Sequence, residues 1–226
     1  MNEEDIQPFA VKDCTLIAIA TGIKAQSLRE MRDKLADIHS GSIYYHFWGS
    51  LLSPRFNEPE FNNDFASWSY HALHDMILAE RLSVIDPSHF HNMEDLRQEV
   101  IDVIEERLYE IEFVPFAKSS QQFNFVRSQI VVFDTRKRIE KPEELSSTLQ
   151  NFSSGSIFYH FIDARRRTEK NTDDFREWLN GFGEKYSELS NLIANIDLIL
   201  PHCPNYAKIF LNFLNTILTR KSNGET

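Results

Sequence analysis

The sequence predicts a mainly helical α+β fold: two pseudo-twofold-related helical repeats, each with a small β-sheet of short strands near its start. Three observations predict it. A stretch near the start recurs later at constant spacing. Each occurrence opens with a short apolar run rich in β-formers. Most of the rest carries apolar residues three and four apart, the period of a helix with one buried face.

The recurrence is specific. Phe9 to Phe47 lies over Phe123 to Phe161 at an offset of 114 without a gap, and eleven of the 39 positions are identical. The densest part is Ser40-Gly41-Ser42-Ile43, then Tyr45-His46-Phe47, over Ser154-Gly155-Ser156-Ile157, then Tyr159-His160-Phe161. After a length change, Asn63 to Trp68 lies over Asp173 to Trp178 at an offset of 110. This divides the chain into repeat 1 (9–110), a linker (111–122) and repeat 2 (123–220), packed as one globular unit. Pro115 and the polar run Lys118 to Gln122 mark the linker.

The elements follow in order. Cys14 to Thr21 is a short apolar run that Gly22 ends, and Phe123 to Asp134 is rich in aromatic and β-branched residues, so both read as buried strands. If they pair with each other, each loses an exposed edge. Ser27, with Glu30 three residues on, forms a capping box ahead of Leu28, Met31 and Leu35. Pro142 takes the first-turn place in the second copy, where a missing N–H costs nothing. Ser40 and Ser154 are expected to cap the next helices, and Asp64 and Asp174 to start the ones after those, where a carboxylate meets the positive end of the dipole. Asn92 opens a helix with Leu96, Val100, Ile104 and Leu108 on one stripe. Tyr206, Ile209, Phe210, Phe213, Leu214, Ile217 and Leu218 give the last helix a wide apolar face that calls for cover by the rest of the fold or by a second subunit.

Composition bounds the function. The chain has 226 residues, 42% of them hydrophobic and 26% charged, with a net charge of −10. That charge argues against wrapping of nucleic acid, which needs many phosphate-neutralising cations. No apolar run is long enough to cross a membrane, and the acidic start lacks the order of a signal peptide. Two cysteines, Cys14 and Cys203, make no disulfide framework and fit a cytoplasmic protein. His202 beside Cys203 sits in a turn between two prolines, and His89 with His91 lacks the spaced partners of a metal site.

Four groups of residues are candidates for binding. His46 with Asp64, and His160 with Asp174, repeat as pairs; a carboxylate can orient an imidazole for proton transfer or ligation, or each ring can simply tie a helix terminus in place. Persistence of both pairs favours the tie, since both halves must fold but only one needs chemistry. Ser40-Gly41-Ser42 and Ser154-Gly155-Ser156 can present backbone N–H groups to an anion or serve as ordinary caps. His74-Asp75, with His46 and Asp102 at a distance, superficially resembles the metal dyad of HD-type phosphohydrolases, although Met76 replaces the glycine that usually follows it. Finally, residues 1–118 carry a net −11 and residues 119–226 a net +1, with the basic excess at Arg136 to Arg138 and Arg165 to Arg167.

The segments Gly41 to Phe47, Asn63 to Trp68 and Leu78 to Leu82 resemble an uncharacterised bacterial and archaeal family classed as a domain of unknown function, here as two tandem diverged copies. The resemblance implies boundaries but no activity. The expected function is therefore a non-catalytic cytoplasmic binding or regulatory module for a protein partner or small anionic ligand, with no cofactor and a homodimer as one assembly. The alternatives are a metal-dependent HD-like phosphohydrolase and nucleic-acid binding through the arginines.

Overall fold

The structure, a computed structural model, describes residues 6–52, 61–110, 119–168 and 170–194. Strand β1 (Phe9–Ala25) leads to helices α1 (Leu28–Asp37), α2 (Ser40–Leu52), α3 (Asp64–His71), α4 (Met76–Ser83) and α5 (Met93–Glu110). Strand β2 (Phe123–Ile139) follows, then α6 (Leu145–Leu149) and α7 (Ser154–Ile157). A π-helical turn (Phe158–Asp163) joins α7 to α8 (Ala164–Arg167), ahead of α9 (Asp174–Asn180) and α10 (Ser187–Ala194).

The mainly helical expectation holds, but the two repeats with their own small sheets do not form. Among the described residues there is one two-stranded sheet, built from β1 and β2. Thr21 Oγ1 donates to Phe125 O (2.6 Å) and Thr135 Oγ1 to Val11 O (2.5 Å), so the strands run antiparallel. The strands are not short either, since each has 17 residues. A lone strand has two unpaired edges, and pairing the two long strands satisfies one row of N–H and C=O groups on each.

Gly22 does not end β1. It adopts φ 76°, a left-handed step that the strand passes through, and Ile23 N–H donates to Thr21 Oγ1 across it. Arg136 takes the matching step in β2 at φ 63°, with Lys137 N–H donating to Thr135 Oγ1. A residue with a side chain is strained there. The Asp134 carboxylate accepts from Arg136 N–H (2.7 Å) and holds the step. Arg138, and then that N–H, keep this carboxyl below its usual range.

The chain forms two compact units, residues 16–130 and residues 1–15 with 131–226. The division falls inside the two strands rather than at the expected linker. In the first unit, α1 and α2 pack on α5, and α3 packs on α4. Leu35, Ile43, Phe65, Leu78, Leu96 and Ile104 fill its core, together with Phe123 and Phe125 of β2. Arg97 is buried in this core and donates to Leu35 O, meeting a carbonyl at the end of α1. In the second unit Phe158 and Phe175 are fully buried, and Leu145, Leu149, Ile157 and Leu179 are buried with them.

The helix starts follow the caps. Ser27 Oγ accepts from Glu30 N–H, and Glu30 reaches back to Gln26 N–H. Pro142 opens a 3-10 turn ahead of α6. Asn92 Oδ1 accepts from Glu94 and Asp95 at the head of α5. Asp64 and Asp174 start α3 and α9 as expected, with Asn63 and Asp173 ahead of them as the caps, whereas α7 is capped by Ser153, one residue before Ser154. Ahead of α2, His39 Nδ1 accepts from Gly41 N–H. The expected apolar face from Tyr206 to Leu218, Cys203 and most of the linker lie outside the described residues.

Gly155 has a steric reason. A Cβ there would lie 2.2 Å from Cys14 O and 2.3 Å from Asp13 Oδ1, so only glycine lets β1 cross the start of α7. At Gly41 a Cβ would meet Arg127 Cγ at 2.9 Å and Ser128 O at 3.2 Å. Gly155→Ala is therefore expected to cost about 2–3 kcal/mol in urea unfolding, and Gly41→Ala less, because the Arg127 stem can move. Equal losses for the two variants would contradict this account.

Candidate functional site

His160 sits in the π turn, 2% exposed. Its Nε2 accepts from the backbone N–H of Lys12 in β1 (2.8 Å). The amide proton is fixed, so Nε2 must be bare and Nδ1 must carry the ring proton. Nδ1–H then donates to Asp174 Oδ2 at the start of α9 (2.7 Å). Asp173 caps α9, which leaves Asp174 available for the ring. Phe9, Phe175 and Tyr159 pack around the imidazole. One side chain thus joins a strand, a π turn and a helix terminus.

His46 does the same in the other unit. Nε2 accepts from Val126 N–H in β2 (3.2 Å), and Nδ1–H donates to Asp64 Oδ2 on α3 (2.9 Å). Phe123 and Phe65 pack on this ring as Phe9 and Phe175 do on the other. The two indoles also match: Trp68 donates to Gln121 O (2.7 Å), and Trp178 to Gln7 O (3.0 Å). With both ring nitrogens engaged, neither histidine has a lone pair directed at solvent.

The serine–glycine turns lie under the strands. Gly41 O accepts from Ser128 Oγ, and Ser40 begins α2. Ser42 is fully buried, and its hydroxyl has no hydrogen-bond partner among the described residues. In the other unit, Ser154 begins α7. Gly155 O accepts from the Cys14 thiol, and Ser156 N–H donates to Ser153.

His46, His74, Asp75 and Asp102 do not assemble. His74 is exposed at φ 58°, Asp75 caps α4 and pairs with Arg107 (2.8 Å), and Asp102 accepts from Gln98 on the exposed face of α5. Among the described residues, no three His, Cys, Asp or Glu side chains stand close enough to hold a metal ion. In the basic runs, Arg138 pairs with Asp134. Arg166 and Arg167 both pair with the buried Asp163, and Arg165 lies 4.6 Å over the Phe161 ring.

A cleft of about 350 Å³ opens beside His160. The start of β1, the π turn and α9 line it, through Phe9, Lys12, Tyr159, Arg167, Glu177 and Trp178 among others. Arg167 lies 4.0 Å over the Tyr159 ring and pairs with Asp174 (3.0 Å), so those two charges largely cancel. Lys12 Nζ stands 5.8 Å from the Tyr159 centroid. Among the described residues, neither Lys12 nor Glu177 makes an ion pair within 4 Å, although Lys12 lies near enough to Asp134 to help hold that carboxyl down. Sequence reasoning reached His160 and Asp174, but not Lys12, Tyr159, Glu177 or Trp178 as parts of one site. The signal for the two charges was a mismatch, since Lys12 lies over Val126 and Glu177 over Ser67 in the internal likeness.

Cys14 is buried beside this cleft's strand. Burial first, then the charges of Asp163 and Asp13, push its thiol up to about 12.

A family model described as a family of unknown function, DUF5752, matches residues 6–209. One model spans both related segments, so the expectation of two tandem family copies is corrected: the segments together make a single copy. The structure of OrfY from Thermoproteus tenax has a similar fold, with a TM-score of 0.79 at 23% identity, covering 97% of this chain and 99% of that one. No curated protein matches the sequence.

His160→Ala is expected to lose about 3 kcal/mol, from the orphaned Lys12 N–H and the cavity left behind. Nitrogen-edited NMR of the native ring is expected to show Nδ1–H at neutral pH; an Nε2–H ring would contradict the tie. For Cys14, the folded thiol holds its proton above the ordinary value of 9.0. Its contribution to stability is therefore fully present below pH 9 and lost as pH rises toward 12. Native Cys14 should resist iodoacetamide at pH 8, read by peptide mass. Cys14→Ala should flatten the alkaline loss of stability.

Proposed function

This chain belongs to the DUF5752 family of unknown function, and from that starting point we propose that it is a non-catalytic binding module whose cleft beside His160 takes a small anionic ligand. The observation that carries this reading is Lys12, a cation that lines the cleft beside an aromatic face with no carboxylate paired to it among the described residues. The carboxylate that feels this ammonium, Asp134, is already held by both oxygens on Arg138, which leaves Lys12 able to take a ligand anion. The electron-rich ring face beside it favours a cation at this position.

The absence of proton chemistry in the reading rests on the histidines. Each ring nitrogen already has a partner within the chain, and a base needs a free lone pair within reach of substrate. Ser40 to Ser42 and Ser154 to Ser156 act in this reading as supports for the strands. No helix among the described residues is long and apolar enough to cross a membrane. A cytoplasmic location is part of the proposal and rests on the sparse cysteines.

A protein partner is the second reading. Val131, Val132 and Phe133 are consecutive in β2 and 40%, 41% and 49% exposed. Such a run on a two-stranded sheet suits cover by another chain.

Titration of nitrogen-labelled protein with propionate and with inorganic phosphate tests the first reading. Saturable shifts are expected at the Lys12 amide and the Trp178 indole, and Lys12→Gln should weaken them at least tenfold. Shifts elsewhere only would overturn the cleft. Metal-supplemented turnover of phosphoesters that His74→Ala abolishes would overturn the non-catalytic reading.

A further inference from the structure

We propose that the ligand of this cleft is a zwitterion of the amino-acid class, its carboxylate met by Lys12 and its ammonium by Glu177. This deepens the anion-binding reading and rests on it.

Four charged side chains line the cleft, Lys12, Arg167, Asp174 and Glu177. Two of them satisfy each other. Arg167 donates to Asp174, which also accepts from the His160 Nδ1–H, and Arg167 is further held by Asp163 and Tyr159 O. What remains is one cation and one anion lining the same cleft, neither in an ion pair within 4 Å among the described residues; Lys12 feels only Asp134, which Arg138 already holds. A plain anion would satisfy Lys12 and be repelled by Glu177. A plain cation would do the reverse. A small molecule carrying both charges satisfies both.

The internal likeness separates these charges from the scaffold. His46, Asp64, Tyr45, Trp68 and Phe123 repeat the frame of His160, Asp174, Tyr159, Trp178 and Phe9, down to the same bonds to a strand N–H and to a carbonyl two residues ahead of the strand. At the two matching positions that frame has Val126 and Ser67. It therefore stands without either charge, and Lys12 and Glu177 are not needed to hold it. The space suits the class too. About 350 Å³ is at the small end of ligand cavities, large enough for an amino acid and lined by Tyr159 and Trp178 for an apolar side chain.

Calorimetric titration with the twenty amino acids, followed by matched analogues of the tightest binder, tests it. For phenylalanine the analogues are 3-phenylpropionate and phenethylamine. The amino acid is expected to bind at least tenfold tighter than either. Glu177→Gln, an exposed substitution on α9, should abolish that preference over the carboxylate while leaving the carboxylate's affinity unchanged or raised. Lys12→Gln should weaken both. If the carboxylate analogue binds as tightly as the amino acid to the native protein, the zwitterion is wrong and the anion reading stands. If no carboxylate binds, or only the amine binds, both fall.

Discussion

The structure depends on a buried imidazole held between two fixed partners. A strand N–H donates a hydrogen bond to Nε2, and a carboxylate at a helix start accepts one from Nδ1–H. Neither bond can be replaced by water, because the ring is almost fully covered. The arrangement also fixes the tautomer, since the amide hydrogen cannot move. His46 and His160 each do this, so each of the two long strands is anchored to helices at its beginning. The aromatic rings around them supply the apolar contact, and the imidazole supplies the register.

Several other features become necessary once the strands are anchored in this way. Gly155 must lack a side chain because β1 crosses the start of α7 within contact distance. Asp173 and Asn63 must cap their helices so that Asp174 and Asp64 remain available for the rings. The long strands need a left-handed step partway along. Gly22 takes it without strain, and Arg136 takes it with Asp134 accepting its N–H. The proposed binding cleft is then what remains between the anchored strand, the π turn and α9, with two charges placed on a frame that does not require them.

Much of this frame could be read from the chain. The recurring Tyr-His-Phe and Asp-Phe-x-x-Trp segments located both imidazoles, both carboxylates and both indoles. Ser27 with Glu30, Pro142 and Asn92 located helix starts, because a cap is a local hydrogen bond between residues a few positions apart. The length of the strands was not legible. Gly22 reads locally as a terminator, and only pairing with β2 carries the chain through it. The internal likeness also suggested two repeats with separate sheets, whereas one sheet is shared and one family model spans both segments. The cleft was hidden for a related reason. Lys12 and Glu177 are far apart in sequence and sit where the two segments differ, while a search for likeness attends to where they agree.

The sequence by itself determined the helical content, most helix starts and the identity of the histidine–carboxylate pairs. These rest on periodicity and on short-range hydrogen bonds, which composition and spacing encode directly. The tertiary structure alone decided which strand amide each imidazole accepts from, that the two strands form one sheet, and that an unpaired lysine and glutamate line one cleft. Those outcomes depend on contacts between residues eighty or more positions apart, and no local pattern records which distant partner a buried polar atom will find.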